Sequence, residues 1–236
     1  METDKRLYFL IRDTLEAFAK IYNRLEVSGL ENIPDEGGAV ICPSHSNYSD
    51  PFFVAVAVKK RVLHFLAWHG IEEMPLLGAL FKRLGVMHPI RESYGEALDK
   101  EQARVVLGEL EALLRSGEMC VVFPEGAIKH WIGSGRMRPF KHGAVRLAAQ
   151  AGAPIIPAGL AGTRWVVPNI INLRDFNGPD KSLTLPLILP AKVRVKFGEP
   201  FYPDPAAASD KIVLERETER LRLKVIDLVE SLKNKK

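Results

Sequence analysis

Residues 119–160, MCVVFPEGAIKHWIGSGRMRPFKHGAVRLAAQAGAPIIPAGL, decide the fold class of this chain. Residues 119–123 form an apolar run that Pro124 ends, residues 140–151 have the apolar periodicity of a helix, and residues 155–160 form a second apolar run. The order strand, helix, strand therefore recurs within about forty residues. Because both predicted strands are apolar at nearly every position, we expect them in a parallel sheet with helices on both faces.

The same alternation continues on both sides of this unit. Upstream, AVIC (39–42) and residues 85–90 are predicted strands, and the apolar stripe of residues 103–114 predicts a helix that Gly117 ends. Downstream, KVRVKF (192–197) is a further predicted strand. The predicted fold is therefore α/β, with a largely parallel or mixed central sheet covered by helices, an amphipathic N-terminal helix and a C-terminal helix.

The N-terminal helix has an apolar stripe between charged residues. Its members are Leu7, Leu10, Ile11, Phe18, Ile21 and Leu25. The stripe either covers the core or lies in a membrane interface, and the sequence leaves both interpretations open. We expect residues 1–28 to form this helical segment and residues 29–236 to form the main domain. A proline- and leucine-rich insertion interrupts that domain between Trp165 and Pro190.

Composition excludes several classes of protein. A chain of 236 residues, 47% apolar and 26% charged, is neither disordered nor fibrous. Its net charge of +4 is too small to indicate nucleic acid, so no nucleic acid partner is expected. Cys42 and Cys120 stand in apolar runs and are predicted to be buried thiols rather than a disulfide framework. No signal peptide and no charge-free stretch long enough to span a bilayer is visible, so we do not expect the chain to cross a membrane.

Charged side chains follow three of the predicted strands. AVIC leads to His45 and Asp50, the next predicted strand leads to Arg91, and the first strand of residues 119–160 leads to Glu125 and Gly126. Ligands of open parallel sheets bind beyond the carboxyl ends of the strands, so we expect these groups to face one site. A carboxylate in a tight turn directly after a buried strand favours a ligand role for Glu125 over that of a solvated turn residue.

The spacing of His45 and Asp50 is compatible with a catalytic pair. A carboxylate that accepts one imidazole N–H fixes the tautomer and leaves the other ring nitrogen free as a general base. The alternative is that Asp50 only caps a helix that begins at Pro51 and that His45 is an ordinary loop histidine. Arg91 is suited to bidentate binding of a phosphate, and the alternative is a surface salt bridge with Glu92.

Other motifs are weaker. His64 and His69 in HFLAWH are predicted to be packing residues, because the chain has neither zinc-ligand spacing nor an HExxH sequence. It also lacks a P-loop and a GxGxxG motif, so nothing indicates nucleotide binding.

Four ordered blocks resemble the glycerolipid acyltransferase family, the 1-acylglycerol-3-phosphate acyltransferases. HSNYSD, from His45 to Asp50, is similar to the H-x4-D block of that family, and GVMHPIR, which ends in Arg91, is similar to its second block. FPEG (123–126) resembles the third block and PIIPAG (154–159) the fourth. The similarity extends from about residue 29 to about residue 200, and the blocks stand in the order of the family.

The resemblance implies transfer of a fatty acyl group from a thioester donor, acyl-CoA or acyl carrier protein, to the free hydroxyl of a lysophospholipid. The expected acceptor is 1-acyl-sn-glycerol-3-phosphate, which would give phosphatidic acid. His45 would be the general base, Asp50 would orient it, Arg91 would bind the acceptor phosphate, and Glu125 with Gly126 would shape the acceptor pocket. The resemblance implies no cofactor and no metal. It also implies a cytoplasmic protein that binds peripherally to the inner face of the cell membrane.

The third block departs from the family pattern. The family usually continues it with Thr-Arg, whereas this chain has Ala127 and Ile128, followed by Lys129. Lys129 and Lys141 are the candidates to supply the missing charge to the substrate. The acceptor therefore stays open: another lysophospholipid or a lyso-aminolipid is one alternative, and a non-catalytic lipid-binding protein of the same fold is a second.

Overall fold

A seven-stranded sheet forms the centre of the protein. The computed structural model describes residues 3–68, 77–90, 100–126, 137–167, 169–173, 181–184 and 188–233. The strands of the central sheet are β1 (Glu26–Ser28), β2 (Ala39–Pro43), β3 (Leu63–Trp68), β4 (Met87–Ile90), β5 (Met119–Val121), β6 (Ile155–Ala161) and, after two strands that lie outside it, β9 (Arg194–Phe197). The intervening strands β7 (Asn169–Leu173) and β8 (Lys181–Thr184) pair antiparallel in a separate two-stranded sheet.

The central sheet is mixed, which confirms the predicted fold class. Its strands lie in the order β1-β9-β6-β2-β5-β3-β4, and β2 is parallel to both of its neighbours, β5 and β6. β3 and β4 continue in the same direction. β9 runs antiparallel to β6 and pairs parallel with the edge strand β1, so these two strands are reversed. The carboxyl ends of β2 to β6 therefore meet at one edge of the sheet.

Helices cover both faces of the sheet. They are α1 (Lys5–Tyr22), α2 (Asp50–Ala57), α3 (Leu77–Leu84), α4 (Lys100–Arg115), α5 (Gly143–Ala151) and α6 (Lys211–Lys233). Alternate residues of β2 face opposite layers: Ile41 packs in a core with α1 and α2, and Cys42 packs in a core with α4, α5 and α6. The thiols of both cysteines are free and buried, as the sequence predicted. None of the helices in the described ranges is long and apolar enough to cross a bilayer.

Several elements differ from the sequence prediction. β4 begins at Met87 rather than at residue 85, β5 ends at Val121 rather than at residue 123, and α5 begins at Gly143 rather than at residue 140. β1, β3, α3 and the β7-β8 pair were not predicted. β1 is only three residues long, and no local sequence pattern marks it. It is stabilised by its pairing with β9, which is 168 residues away in the chain.

α1 packs on the protein through a face that includes only part of its apolar stripe, since Leu7 and Ile11 pack against a core cluster. Tyr8, Arg12 and Ala19 are buried, whereas Phe18 is 44% exposed and Ile21 is 83% exposed. The Arg12 guanidinium contacts Asp13 and lies over the ring of Phe9. The structure therefore leaves much of the predicted stripe in contact with solvent.

Candidate active site

The end of β2 is anchored to β6 by hydrogen bonds on both sides of Ser44. The Ser44 N–H donates to the carbonyl of Ala158 at 3.0 Å, and the Leu160 N–H donates to Ser44 Oγ at 3.0 Å. His45 is the next residue, so it leaves the sheet at its carboxyl edge from a fixed strand end. This is the edge at which ligands of open α/β sheets bind.

Asp50 folds back onto His45. Its Oδ2 lies 3.1 Å from His45 Nδ1 and also accepts the backbone N–H groups of Ser46 at 2.6 Å and Asn47 at 2.7 Å. Because an ionised carboxylate only accepts hydrogen bonds, Nδ1 is the donor of this contact, and Nε2 of the neutral imidazole then keeps its lone pair. The contact between the two side chains that the spacing suggested is present. It leaves one ring nitrogen available to take a proton.

Asp50 is not the N-cap of α2, so the alternative interpretation of Asp50 as a cap is wrong. The cap position is occupied by Ser49, whose side chain makes no capping hydrogen bond, and Asp50 is the first helical residue, followed by Pro51. The carboxylate points backwards to the N–H groups of residues 46 and 47 instead of forwards into the helix. Its fully buried position is explained by these contacts and by His45.

Glu125 holds the backbone of His45 from the neighbouring strand end. Its Oε1 accepts the His45 N–H at 2.8 Å, and its Oε2 accepts the N–H of Arg138 at 3.1 Å. The side chain is buried, and the His45 ring packs on Phe123 with ring centroids 4.2 Å apart. One carboxylate thus joins residues 45–50, which we call the catalytic loop after the role that the sequence predicts for them, to the turn after β5 and to the segment before α5.

Gly126 brings the chain close to Lys141. Its φ of +69° lies in the left-handed region, and a Cβ built at this position would lie 2.8 Å from Lys141 Nζ. The Lys141 N–H donates to the carbonyl of Pro124 at 2.7 Å, which fixes the lysine beside this turn. An ammonium group therefore lies against the turn that carries Glu125.

Two predicted site residues lie outside the described residues. Arg91 follows β4 directly, and Lys129 belongs to the stretch after Gly126, together with Ala127 and Ile128. Their roles stay predictions.

Asn47 was missed by the sequence reasoning. It is 2% exposed, and its Nδ2 donates to the carbonyl of Val167 at 2.8 Å. Its Oδ1 accepts both the N–H and the hydroxyl of Ser49. Ser46 Oγ and Thr163 Oγ1 lie 3.2 Å apart, which makes a second link to the same segment. No spacing rule reveals such contacts, because the partners are about 120 residues away.

A second group of polar side chains lies on β3 and β4. His64 Nδ1 and His88 Nε2 are 3.2 Å apart, and His88 Nδ1 lies 3.4 Å from Glu109 Oε2. Burial lowers the pKa of His64 to about 4 and also lowers the pKa of His88, so both rings are neutral at pH 7. His64 is buried, as predicted, whereas His69 lies outside the described residues. Within the described ranges, no three His, Cys, Asp or Glu side chains are grouped as a metal centre requires.

Comparison with known proteins identifies the family. The sequence model described as "Acyltransferase" matches residues 24–161, which include β1 to β6 and the catalytic loop. The chain belongs to the acyltransferase family.

The relatives of this acyltransferase-family chain differ in length and description. A protein of Mycobacterium leprae described as uncharacterized is 29% identical over 225 residues, which cover 85% of this chain and 57% of that protein. The 1-acyl-sn-glycerol-3-phosphate acyltransferase of Bacillus subtilis is 25% identical over 156 residues, covering 66% of this chain and 72% of that enzyme. The chain thus spans less than three fifths of the length of the mycobacterial relative.

A solved structure has the same fold. The crystal structure of the 1-acyl-sn-glycerophosphate acyltransferase PlsC from Thermotoga maritima superimposes with a TM-score of 0.68. The match covers 100% of this chain and 85% of that one at 22% sequence identity. At this identity the likeness establishes the architecture of the sheet and its helices.

Proposed function

We propose that this protein is a lysophospholipid acyltransferase that uses His45 as its general base. The observation that carries the proposal is the hydrogen bond from His45 Nδ1 to the buried Asp50 carboxylate at the carboxyl edge of the sheet. It leaves Nε2 as a base at the sheet edge where ligands bind, in a chain of the acyltransferase family.

In the proposed reaction the acceptor hydroxyl oxygen attacks the thioester carbonyl while His45 Nε2 takes the hydroxyl proton. Asp50 stabilises the imidazolium that forms. The tetrahedral intermediate then collapses, the carbon–sulfur bond breaks, and the imidazolium returns its proton to the leaving thiolate. The products are an ester and a free thiol, and no acyl-enzyme forms. The donor is acyl-CoA or acyl carrier protein.

The identity of the acceptor depends on the third block, which lacks the family's arginine. 1-Acyl-sn-glycerol-3-phosphate is the first candidate, since the Bacillus subtilis relative is named for that substrate. We assign Arg91 to the acceptor phosphate, Glu125 with Gly126 to the wall of the acceptor pocket, and Lys129 to a supporting charge. Another lysophospholipid or a lyso-aminolipid is favoured by Ala127 and Ile128, which replace Thr-Arg.

An acceptor with a long acyl chain resides in a bilayer, so we further propose that the protein docks on the membrane surface through α1. The exposed face of α1 carries Leu10, Phe18 and Ile21, which are large and apolar. Between Lys5 and Arg24 five basic residues stand against two acidic ones, and all five except the buried Arg12 are exposed, which suits anionic headgroups. Residues 1–28 would form the docking segment and residues 29–236 the acyltransferase domain, peripheral on the cytoplasmic face of the cell membrane.

An acceptor panel tests the proposed reaction. Purified protein is incubated with one acyl-CoA and with lysophosphatidic acid, other lysophospholipids or a lyso-aminolipid, and the product lipids are identified by mass. We expect acceptor-dependent release of thiol and loss of this activity in His45→Ala, since removal of a general base costs about 10²–10⁴ in rate. A matched control is His142→Ala, at a histidine whose ring contacts Thr218 Oγ1 on α6 rather than Asp50. Equal thiol release without any acceptor would instead indicate a thioesterase.

Point substitutions test the docking helix better than a truncation. Deletion of residues 1–25 would uncover the core around Tyr8 and Ala19, which are buried. Ile21→Ser leaves that face intact, because Ile21 is 83% exposed. We expect it to weaken sedimentation with anionic vesicles, and increasing salt to weaken it further. Unchanged sedimentation of Ile21→Ser together with Leu10→Ser would contradict docking through α1.

A further inference from the structure

Exposed apolar side chains are concentrated on three neighbouring elements. Thirteen large apolar side chains are exposed in the described residues, and eight of them belong to α1, to the ends of the insertion or to the catalytic loop. These eight are Leu10, Leu15, Phe18, Ile21, Tyr48, Trp165, Ile188 and Leu189. We call residues 164–167 and 188–190, where the insertion leaves and rejoins the domain, the insertion root.

Hydrogen bonds attach the end of α1 to the insertion root. Tyr22 Oη donates to the carbonyl of Ile188 at 2.8 Å, and Asn23 Nδ2 donates to the carbonyl of Leu189 at 3.0 Å. The Arg24 guanidinium donates to the carbonyl of Pro190 at 2.9 Å. Three consecutive residues thus bind three consecutive carbonyls, so the two elements form one continuous surface.

The insertion root is also attached to the catalytic loop. The Leu189 N–H donates to the carbonyl of Val166 at 2.7 Å, which closes the root. The carbonyl of the next residue, Val167, accepts Asn47 Nδ2 at 2.8 Å, and Asn47 belongs to the catalytic loop. The exposed Trp165 and Ile188 therefore lie between α1 and the loop that carries His45.

The charge of this surface suits an anionic interface. Arg164 of the insertion root is exposed, and so is Arg24, which is hydrogen-bonded to the root. Arg24 binds one carbonyl through a single terminal nitrogen, and within the described ranges its other N–H donors have no hydrogen-bond partner and can meet phosphate oxygens. Exposed apolar side chains flanked by guanidinium groups are typical of surfaces that insert into the headgroup region of a membrane.

We propose that the insertion root is a second lipid-contacting element, which rests on the bilayer together with α1. The acyl chain of the acceptor lies along this element, and the acceptor hydroxyl points towards His45. The identity of the lipid as an acceptor rests on the proposed function, whereas the contact with the bilayer does not. Hydrogen bonds join α1, the insertion root and the catalytic loop. They would hold the lipid-contacting surface at a fixed distance and orientation relative to His45.

Vesicle sedimentation of the full chain tests the contact. The probes are vesicles of phosphatidylglycerol and phosphatidylcholine, and the variants are Trp165→Ser, Ile188→Ser and, as the matched control, Ile212→Ser. Ile212 is 78% exposed and lies on α6, so its loss should not change binding. Trp165→Ser and Ile188→Ser should each weaken partitioning into anionic vesicles by about tenfold, as expected when one large apolar side chain no longer inserts. Circular dichroism checks that each variant is folded.

Activity on two acceptors separates this proposal from the proposed function. Ile188→Ser should lose activity on a long-chain acceptor in vesicles and keep it on a short-chain, water-soluble acceptor. The proposal would be overturned if both root variants partitioned into vesicles like the wild type. It would also be overturned if the protein formed a dimer without lipid and Ile188→Ser dissociated that dimer. Absence of acyl transfer on any acceptor, with the vesicle results as expected, would overturn only the proposed function.

Discussion

Replacement of Asp50 by asparagine changes one charge at the centre of the catalytic loop and little else. Oδ2 accepts three hydrogen bonds, from the His45 ring and from two backbone N–H groups. The single carbonyl oxygen of asparagine can occupy the same position, so the loop keeps its acceptor. The amide nitrogen then takes the place of Oδ1, a buried atom without a hydrogen-bond partner among the described residues. An unpaired amide there should lower the free energy of unfolding by about 1–3 kcal/mol.

The expected loss of rate follows from the distance between the two groups. Oδ2 lies 3.1 Å from His45 Nδ1, and the charge of the imidazolium is centred somewhat beyond that atom. Two unit charges about 4 Å apart attract each other by about 4 kcal/mol at an effective dielectric constant of about 20. If this attraction acts fully in the transition state, its loss slows the reaction about a thousandfold, since each 1.36 kcal/mol changes a rate tenfold. We therefore expect Asp50→Asn to lower kcat by a factor of about 10²–10³.

A double-mutant cycle gives the decisive measurement. Thiol release from acyl-CoA is followed for wild type, Asp50→Asn, His45→Ala and the double variant. Asp50 acts through His45 in this mechanism, so the aspartate substitution should cost little once the histidine is absent. Asp35→Asn, at an aspartate whose side chain is 74% exposed, controls for the loss of one negative charge. The reasoning would be refuted if the rate losses of the two single variants multiplied in the double variant. A kcat of Asp50→Asn within tenfold of wild type would refute it as well.

Three further substitutions test neighbouring contacts. Glu125→Gln can accept only one of the two N–H groups that the carboxylate accepts. We therefore expect the free energy of unfolding, measured by chemical denaturation, to fall by about 1–3 kcal/mol, and kcat to fall as well. If both values were unchanged, Glu125 would not hold the backbone of His45. Gly126→Ala places a side chain at a φ of +69° and against a lysine, so the acceptor KM should rise more than the donor KM, and equal changes would contradict this. Burial lowers the pKa of His64 from 6.5 to about 4, with a further contribution from His88. The unfolded chain therefore binds a proton that the folded protein does not, and stability is lost as the pH falls from about 6.5 towards 4. His64→Gln should flatten this loss in thermal unfolding; an unaltered pH dependence would exclude His64 as its cause.

The sequence alone determined the elements whose residues carry their own pattern. The apolar run AVIC, the helical stripe of residues 103–114 and the amphipathic C-terminal helix are visible because burial on one or both faces dictates their side chains. The convergence of His45, Asp50 and Glu125 on one edge was predictable as well, since it follows from the direction of parallel strands. Of these residues, local spacing suggested only the pair His45 and Asp50.

Features that depend on contacts between distant parts of the chain were decided only by the tertiary structure. β1 exists through its pairing with β9, and the role of Asn47 depends on Val167, so no local pattern marks either one. The carboxylate of Glu125 could have faced solvent, yet it accepts backbone N–H groups from two other segments. The face of α1 that packs was likewise undetermined, because an apolar stripe has the same periodicity whether a core or a membrane covers it. Packing through Tyr8, Arg12 and Ala19 brings Leu7 and Ile11 against the core and leaves Leu10, Phe18 and Ile21 in solvent, because the packing face and the stripe overlap only in part.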